Sequence, residues 1–187
     1  MLVKKKMLLH CCCGPCASDV VGNLINDYDV TLFYYNPSIF PFEEYKKRFE
    51  NLEIVAKHYN VNVVYVDYNQ DEFLKIVAGM EQMKEGGTRC EVCIFQRLEK
   101  TCLFAKENGF DIFATTLSVS PHKNASYINS AGKELSKAYN VEYLESDFKK
   151  KDGFKKSIEM SKKLGLYRQD YCGCKFSLNS KKTIEKK

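Results

Sequence analysis

The sequence predicts an α/β domain with a doubly wound, mostly parallel sheet and helices on both faces. Two observations lead there. Short apolar runs of four to seven residues alternate with helical stretches of ten or more, the pattern of βαβ units. The chain is also one domain long at 187 residues, with no internal repeat and no linker. Its composition, 44% hydrophobic and 28% charged, excludes disorder, collagen and coiled coil.

Residues 7–13 form the first apolar run and read as a buried strand. Gly14-Pro15 reads as a turn, and residues 17–26 as a helix. Residues 30–35 give a second strand, ending at Asn36-Pro37. A helix is predicted over 41–59, with Pro41 in its first turn, where a missing N–H costs nothing. A third strand follows over 61–67, then a helix over 71–83, broken by Gly86-Gly87. The helix over 89–108 ends at Gly109. A fourth strand covers 111–117, a helix 122–139, a fifth strand 141–144 and a lysine-rich helix 153–164. The domain is expected over 1–180, with 181–187 as a basic C-terminal tail. No run reaches the ~18 apolar residues of a membrane span. The apolar stretch before His10 is too short for a signal-peptide core, so a cytoplasmic protein is expected.

Cysteine is the outlier, with nine residues. Disulfide scaffolds favour an even count, a shorter chain and a secretory signal. Eight of the nine fall in three tight groups: Cys11-Cys12-Cys13-x-x-Cys16, Cys90-x-x-Cys93 and Cys172-x-Cys174. That clustering points to metal or redox chemistry in a reducing compartment. Thr88 to Glu91 fits a capping box, which would set Cys90 and Cys93 on one face of a helix start, where thiolates are favoured. Cys172 and Cys174, across Gly173, can bind metal or close a labile disulfide. Even with Cys11 set aside, seven clustered thiols exceed the four that one zinc or one [4Fe–4S] cluster needs. Cys102 shares a helical stripe with Phe95, Leu98 and Ala105 and is assigned to the core, as is Cys11. In such sheets ligands bind beyond the carboxyl ends of the strands, and the first strand runs into the Cys11–Cys16 loop. P-loop and GxGxxG fingerprints are both missing, which argues against ATP or NAD.

Charge is asymmetric. Residues 145–187 hold 13 Lys+Arg against 6 Asp+Glu, a net +7 within a chain of net +5. That suits an anionic polymer such as nucleic acid, or a solvated helix face. The aromatic stretch 33–42 is mostly core, with base stacking as the sharper alternative. His122, after Ser120-Pro121, falls at the strand ends, where it would contact phosphate, donate a proton or merely cap a helix.

Together these residues resemble the QueH-type, cobalamin-independent epoxyqueuosine reductases. The resemblance rests on Leu8 through Cys16, Arg89-Cys90-Glu91-Val92-Cys93 and Tyr167 through Cys174. It extends to Tyr35-Asn36-Pro37, Glu44-Tyr45, Arg48, Thr115 through Ser118 and Ser120 through Lys123. It implies a HUP-like (Rossmann-like) fold, a [4Fe–4S] cluster and no cobalamin. It implies removal of the epoxide oxygen of epoxyqueuosine at the tRNA wobble position, taking up two electrons and two protons and releasing water. It implies tRNA and a low-potential electron donor as partners. Residue by residue, Cys12, Cys13, Cys90 and Cys93 would bind the cluster. Cys172 and Cys174 would form a redox-active disulfide pair, or would join Cys16 around a second, mononuclear iron. Some relatives carry Asp at the place of Cys16, which leaves its role open. Asp19, Tyr35, His122 and Asp170 are candidate proton donors. The rival readings are a zinc-binding tRNA-interaction module without redox activity, a thiol–disulfide oxidoreductase using Cys90 and Cys93, and an ATP-dependent tRNA-modifying enzyme.

Overall fold

The computed structural model describes residues 3–185. Its sheet has five parallel strands in the order β3-β2-β1-β4-β5. The strands are β1 Lys5–His10, β2 Tyr28–Tyr34, β3 Asn62–Tyr65, β4 Ile112–Thr115 and β5 Glu142–Tyr143. The chain winds outward from β1 through β2 to β3, then crosses back to place β4 on the other side of β1. Strand order therefore reverses between β1 and β4, and a crevice opens beyond their carboxyl ends.

Successive side chains of a strand point to opposite faces, and the core follows that rule. Met7, Leu9, Leu32, Ile112 and Ala114 pack on one face with α1 Gly14–Leu24 and α2 Phe42–Tyr59. Leu8, Phe33 and Phe113 pack on the other with α4 Thr88–Glu107 and α5 Ala125–Tyr139. Cys11 and Cys102 are fully buried within these two cores. Phe33 and Tyr34 are buried as well, whereas Phe40 is 36% exposed. Among the described residues, no helix is long and apolar enough to cross a membrane.

Several boundaries differ from the sequence reading. The first strand stops at His10, and Gly14-Pro15 opens α1 instead of turning the chain. Pro15 occupies the first turn, where proline is a start signal. Gly14 is required by packing, since a Cβ there would collide with the backbone of Asn51 on α2. The helix expected over 71–83 shortens to α3 Gln70–Ile76. The capping box is absent: Gly87 is the N-cap of α4 and no side chain caps that end. Residues after β4 form a 3-10 turn, Thr116–Val119, and α5 starts only after Asn124, whose side chain accepts from Tyr127 N–H. α6 is Gly153–Lys163. The expected tail is helical through its described part, because α7 runs Lys175–Glu185. Nothing in 181–185 breaks a helix, as Pro and Gly are absent there. Residues 186–187 lie outside the described residues.

Candidate metal centre

The start of α1 carries the first thiol group. Cys13 is the extended N-cap residue, and Cys16 lies in the first turn. The Sγ atoms of Cys12, Cys13 and Cys16 lie within 4.8 Å of one another. Hydrogen bonds from Cys13 and Cys16 hold the Cys12 thiol well below its usual range. The bond with Cys12 in turn pushes Cys13 up to about 12, and bonds with Cys12 and Cys13 push Cys16 well up. One thiolate therefore forms readily, and two more converge on it only if a cation offsets their repulsion. Gln169 Nε2 donates to Cys13 Sγ at 3.0 Å, which ties the third cysteine segment to the first.

The second group lines a cavity of about 100 Å³, where Cys90 and Cys93 of α4 face Cys172 and Cys174. Cys174 packs with Cys93, Phe73 and Val77. Ser177 N–H donates to Cys174 Sγ at 3.4 Å, and Gly86 N–H donates to Cys90 Sγ at 3.2 Å. Burial pushes the Cys174 thiol up to about 11 and raises Cys90 also. No three of these four sulfurs fall within the tight spacing of the first group. A single ion draws its ligands together, whereas each cysteine of a cluster binds a different iron and stands further off. The Cys12, Cys13 and Cys16 thiols are thus spaced as three ligands of one ion could be.

A larger cavity of about 860 Å³ adjoins both groups, lined by Cys12, Cys16 and Cys172 among others. Arg97, His122, Lys123 and Cys172 line both cavities. Arg97 is buried, and its Nη2 donates to Cys93 Sγ at 3.3 Å. Among the described residues no carboxylate pairs with Arg97 or Lys123. Burial disfavours both charges, but the thiols around them raise both pKa values. Both side chains thus stay cationic, and Cys12, the thiol that ionises readily, is among the sulfurs that favour their charge.

A family model described as "Epoxyqueuosine reductase QueH" matches residues 7–180. The chain belongs to this family. Its chemistry is therefore that of an oxidoreductase. Curated relatives of that name include one from Streptococcus pyogenes, 39% identical over 94% of this chain and 71% of the relative. One from Thermotoga maritima is 39% identical over 92% of this chain and 90% of its own. Among solved structures, a predicted subunit of tRNA methyltransferase from Methanocaldococcus jannaschii matches with TM-score 0.57 at 18% identity, over 82% of this chain and 76% of its own. The U34-tRNA thiolase NcsA from Methanococcus maripaludis, solved with its [4Fe–4S] cluster, matches with TM-score 0.51 at 15% identity, over 99% of this chain and 67% of its own. These two likenesses concern the fold, and they agree with the HUP-like expectation.

The residues that the epoxyqueuosine reductase resemblance singled out fall as follows. Cys12 and Cys13 stand with Cys16, while Cys90 and Cys93 stand with Cys172 and Cys174. All nine cysteines are free, so the expected Cys172–Cys174 disulfide is not formed. Gly173, at φ +122, separates the two thiols. Cys174 turns into the small cavity alone, and Cys172 faces both. Asp19 lines neither cavity; its carboxylate accepts from Asn23 on α1. Tyr35 is buried elsewhere and donates to Glu72 Oε2 at 2.7 Å. His122 and Asp170 do line the large cavity, both on its exposed side.

Sequence reasoning assigned no task to several residues that build the site. Arg48 is buried, bound to Glu44 Oε1 at 2.7 Å, and donates to the Cys172 and Tyr171 carbonyls at 3.0 and 3.2 Å. It therefore fixes the loop carrying Cys172. Arg89 Nη1 gathers the carbonyls of Met80, Glu81 and Met83 before Cys90. His10 lies beneath the Cys11–Cys13 loop. Its Nε2–H donates to the Tyr35 carbonyl, and its Nδ1 accepts from Thr115 Oγ1 at 2.9 Å. Burial lowers its pKa to about 4. The signal for Arg48 was the i, i+4 pairing of Glu44 with Arg48. For Lys123 it was a lysine next to the strand-end His122.

Proposed function

We propose that this chain removes the epoxide oxygen of epoxyqueuosine in tRNA, leaving an alkene, with electrons supplied through iron–sulfur chemistry at the seven clustered thiols. The observation that carries the reading is their convergence, from three distant segments, around two adjoining cavities that share Cys172. Sulfur donors, two cations without a carboxylate partner among the described residues and family membership all fit such a centre. Cys90, Cys93, Cys172 and Cys174 would hold a [4Fe–4S] cluster. Cys12, Cys13 and Cys16 would hold a single iron. When bound, such a centre supplies electrons one at a time and Lewis-acid polarisation of oxygen.

The remaining work falls to the chain's own side chains. The large cavity receives the nucleoside extruded from the RNA stack. Arg97 donates its guanidinium N–H to Cys93 Sγ and would offset the negative charge of a thiolate-held centre. Lys123, which lines both cavities, delivers a proton to the oxygen as its carbon bonds break. An ammonium placed where an alkoxide develops is the preorganised charge that such a step requires. The second proton comes from solvent, and an external low-potential donor supplies the two electrons.

The test is anaerobic purification, iron, sulfide and zinc analysis, then incubation with epoxyqueuosine-containing tRNA and dithionite. Nucleoside analysis should show conversion to queuosine by a brown protein holding iron and sulfide. A colourless chain with stoichiometric zinc and no conversion would leave the tRNA-interaction module as the better account.

A further inference from the structure

Outside the thiol centre, the start of α6 combines three features that the reaction chemistry leaves unused. Phe154 is 36% exposed, yet its side chain borders the large cavity. The Arg168 guanidinium lies 5.8 Å from its ring centroid, beside the same cavity. Around it, residues 149–163 carry seven lysines against two acidic residues.

Lys155, Lys156, Lys162 and Lys163 are exposed, and among the described residues no carboxylate pairs with them. Lysines seven apart on a helix lie on one side, about 10 Å from each other. Lys155 with Lys162, and Lys156 with Lys163, therefore make two parallel basic rows leading away from the cavity. The platform beneath is rigid. Ser157 and Ser161 are buried, Ser161 Oγ accepts from Arg168 Nη1 at 3.0 Å, and Ser18 of α1 donates to the Ser157 carbonyl at 3.5 Å.

We propose that the start of α6 is the seat of an unpaired RNA strand. Phe154 stacks on a base next to the one that enters the cavity, and Lys155 and Lys156 hold the phosphates that follow. The inference rests on the substrate reading above and adds the path of the strand outside the cavity. Single-stranded RNA is the partner that this surface fits. An aromatic face offers sequence-tolerant stacking, a flanking guanidinium adds a second planar cation, and the basic rows match a phosphate backbone. A duplex would have no splayed base to offer Phe154.

The experiment uses the anaerobically prepared full chain and a short fluorescent RNA hairpin with an unpaired guanosine in its loop. Affinity is read by anisotropy across a salt series. Phe154→Ala should weaken binding about tenfold, and Phe154→Tyr should restore it, because the stacking face returns. Replacing Lys155 and Lys156 by Ala should lower the slope of log K against log salt by about 1.4, since each single-strand phosphate contact contributes about 0.7. Lys46→Ala, at an exposed position of α2 that lines neither cavity, should bind as the parent does. If the parent binds and the α6 variants bind equally well, the strand runs elsewhere and the inference fails. Equal affinity for a fully paired duplex would also overturn it. If the parent binds no RNA, the substrate reading itself fails.

Discussion

Gly173→Ala should loosen the Cys172–Cys174 loop and, on the proposed iron–sulfur reading, lower the iron bound per chain. Gly173 sits at φ +122, where L side chains are strained by about 1–3 kcal/mol. The new Cβ would stand 2.8 Å from Arg48 Nη1 and 3.2 Å from both Arg48 Cζ and Ile39 Cγ1. Arg48 has little freedom to withdraw, being 1% exposed and held by Glu44 and two carbonyls. Moving it forfeits at least the bond to the Cys172 carbonyl, about 1.5–3 kcal/mol for a charged donor. The total is about 3–5 kcal/mol. For a chain of this size each kcal/mol lowers Tm by roughly 2–4 °C, so a drop on the order of 10 °C is expected. Gly165→Ala is the control, because Gly165 has φ +64 and nothing within 4 Å of the added Cβ. It keeps the backbone strain without the collision, and should cost about 1–2 kcal/mol and no iron. The measurements are thermal unfolding and iron per chain for both variants. Equal melting shifts, or a Gly173→Ala protein with full iron, would refute the claim that Arg48 and Gly173 together hold the thiol loop.

Other outcomes follow from the same geometry. Cys16→Ala should lose one iron per chain and keep its sulfide and its absorption near 400 nm, whereas Cys90→Ala should lose sulfide and colour. Loss of the cluster in Cys12→Ala with retention in Cys174→Ala would instead favour the pairing of Cys12 and Cys13 with Cys90 and Cys93. Lys123→Met should slow single-turnover epoxide loss by about 10²–10⁴-fold, the range for a positioned proton donor, with iron content unchanged. Equal rates would remove Lys123 from the proton path. Cys102→Ala, in a fully buried site away from both cavities, should lower stability by about 1 kcal/mol and leave metal content intact.

The fold was legible because the periodicity of β1 through β5 is strong. The starts of helices were not, and α1 shows why. Gly14-Pro15 is a turn signal by type, but Pro15 is also an N-terminal helix residue, and only the packing of Gly14 on Asn51 decides between them. At α4, Thr88 and Glu91 have the right spacing for a capping box. The positive φ of Gly86 and the hold of Arg89 on three loop carbonyls begin the helix at Gly87 instead. The cysteine groups were visible as groups. Their partition was not, because it depends on where β1 ends. Had the strand run to Cys13, Cys12 and Cys13 would point to opposite faces. The strand stops at His10, and the thiols of Cys12, Cys13 and Cys16 turn to one side.

His10 is the residue that makes this early stop stable, and its titration gives a last prediction. At the end of β1 its ring spans the neighbouring strands, donating to Tyr35 beyond β2 and accepting from Thr115 at the end of β4. Only the neutral ring can do both, because a protonated Nδ1 has no lone pair for Thr115. Burial keeps it neutral, with the pKa lowered from 6.5 to about 4. The folded state therefore takes up this proton less readily than the unfolded chain. The His10 contribution is complete above about pH 6.5 and is lost as pH falls toward 4. At about 1.4 kcal/mol per pKa unit, the loss is about 3 kcal/mol across that window. Denaturant unfolding of the metal-free chain at several pH values reads it directly. His10→Gln keeps a donor and an acceptor but no titrating group, so its stability should fall less over the same window. Parallel pH profiles for the two proteins would mean that the neutral imidazole is not what secures the strand ends beneath the thiols.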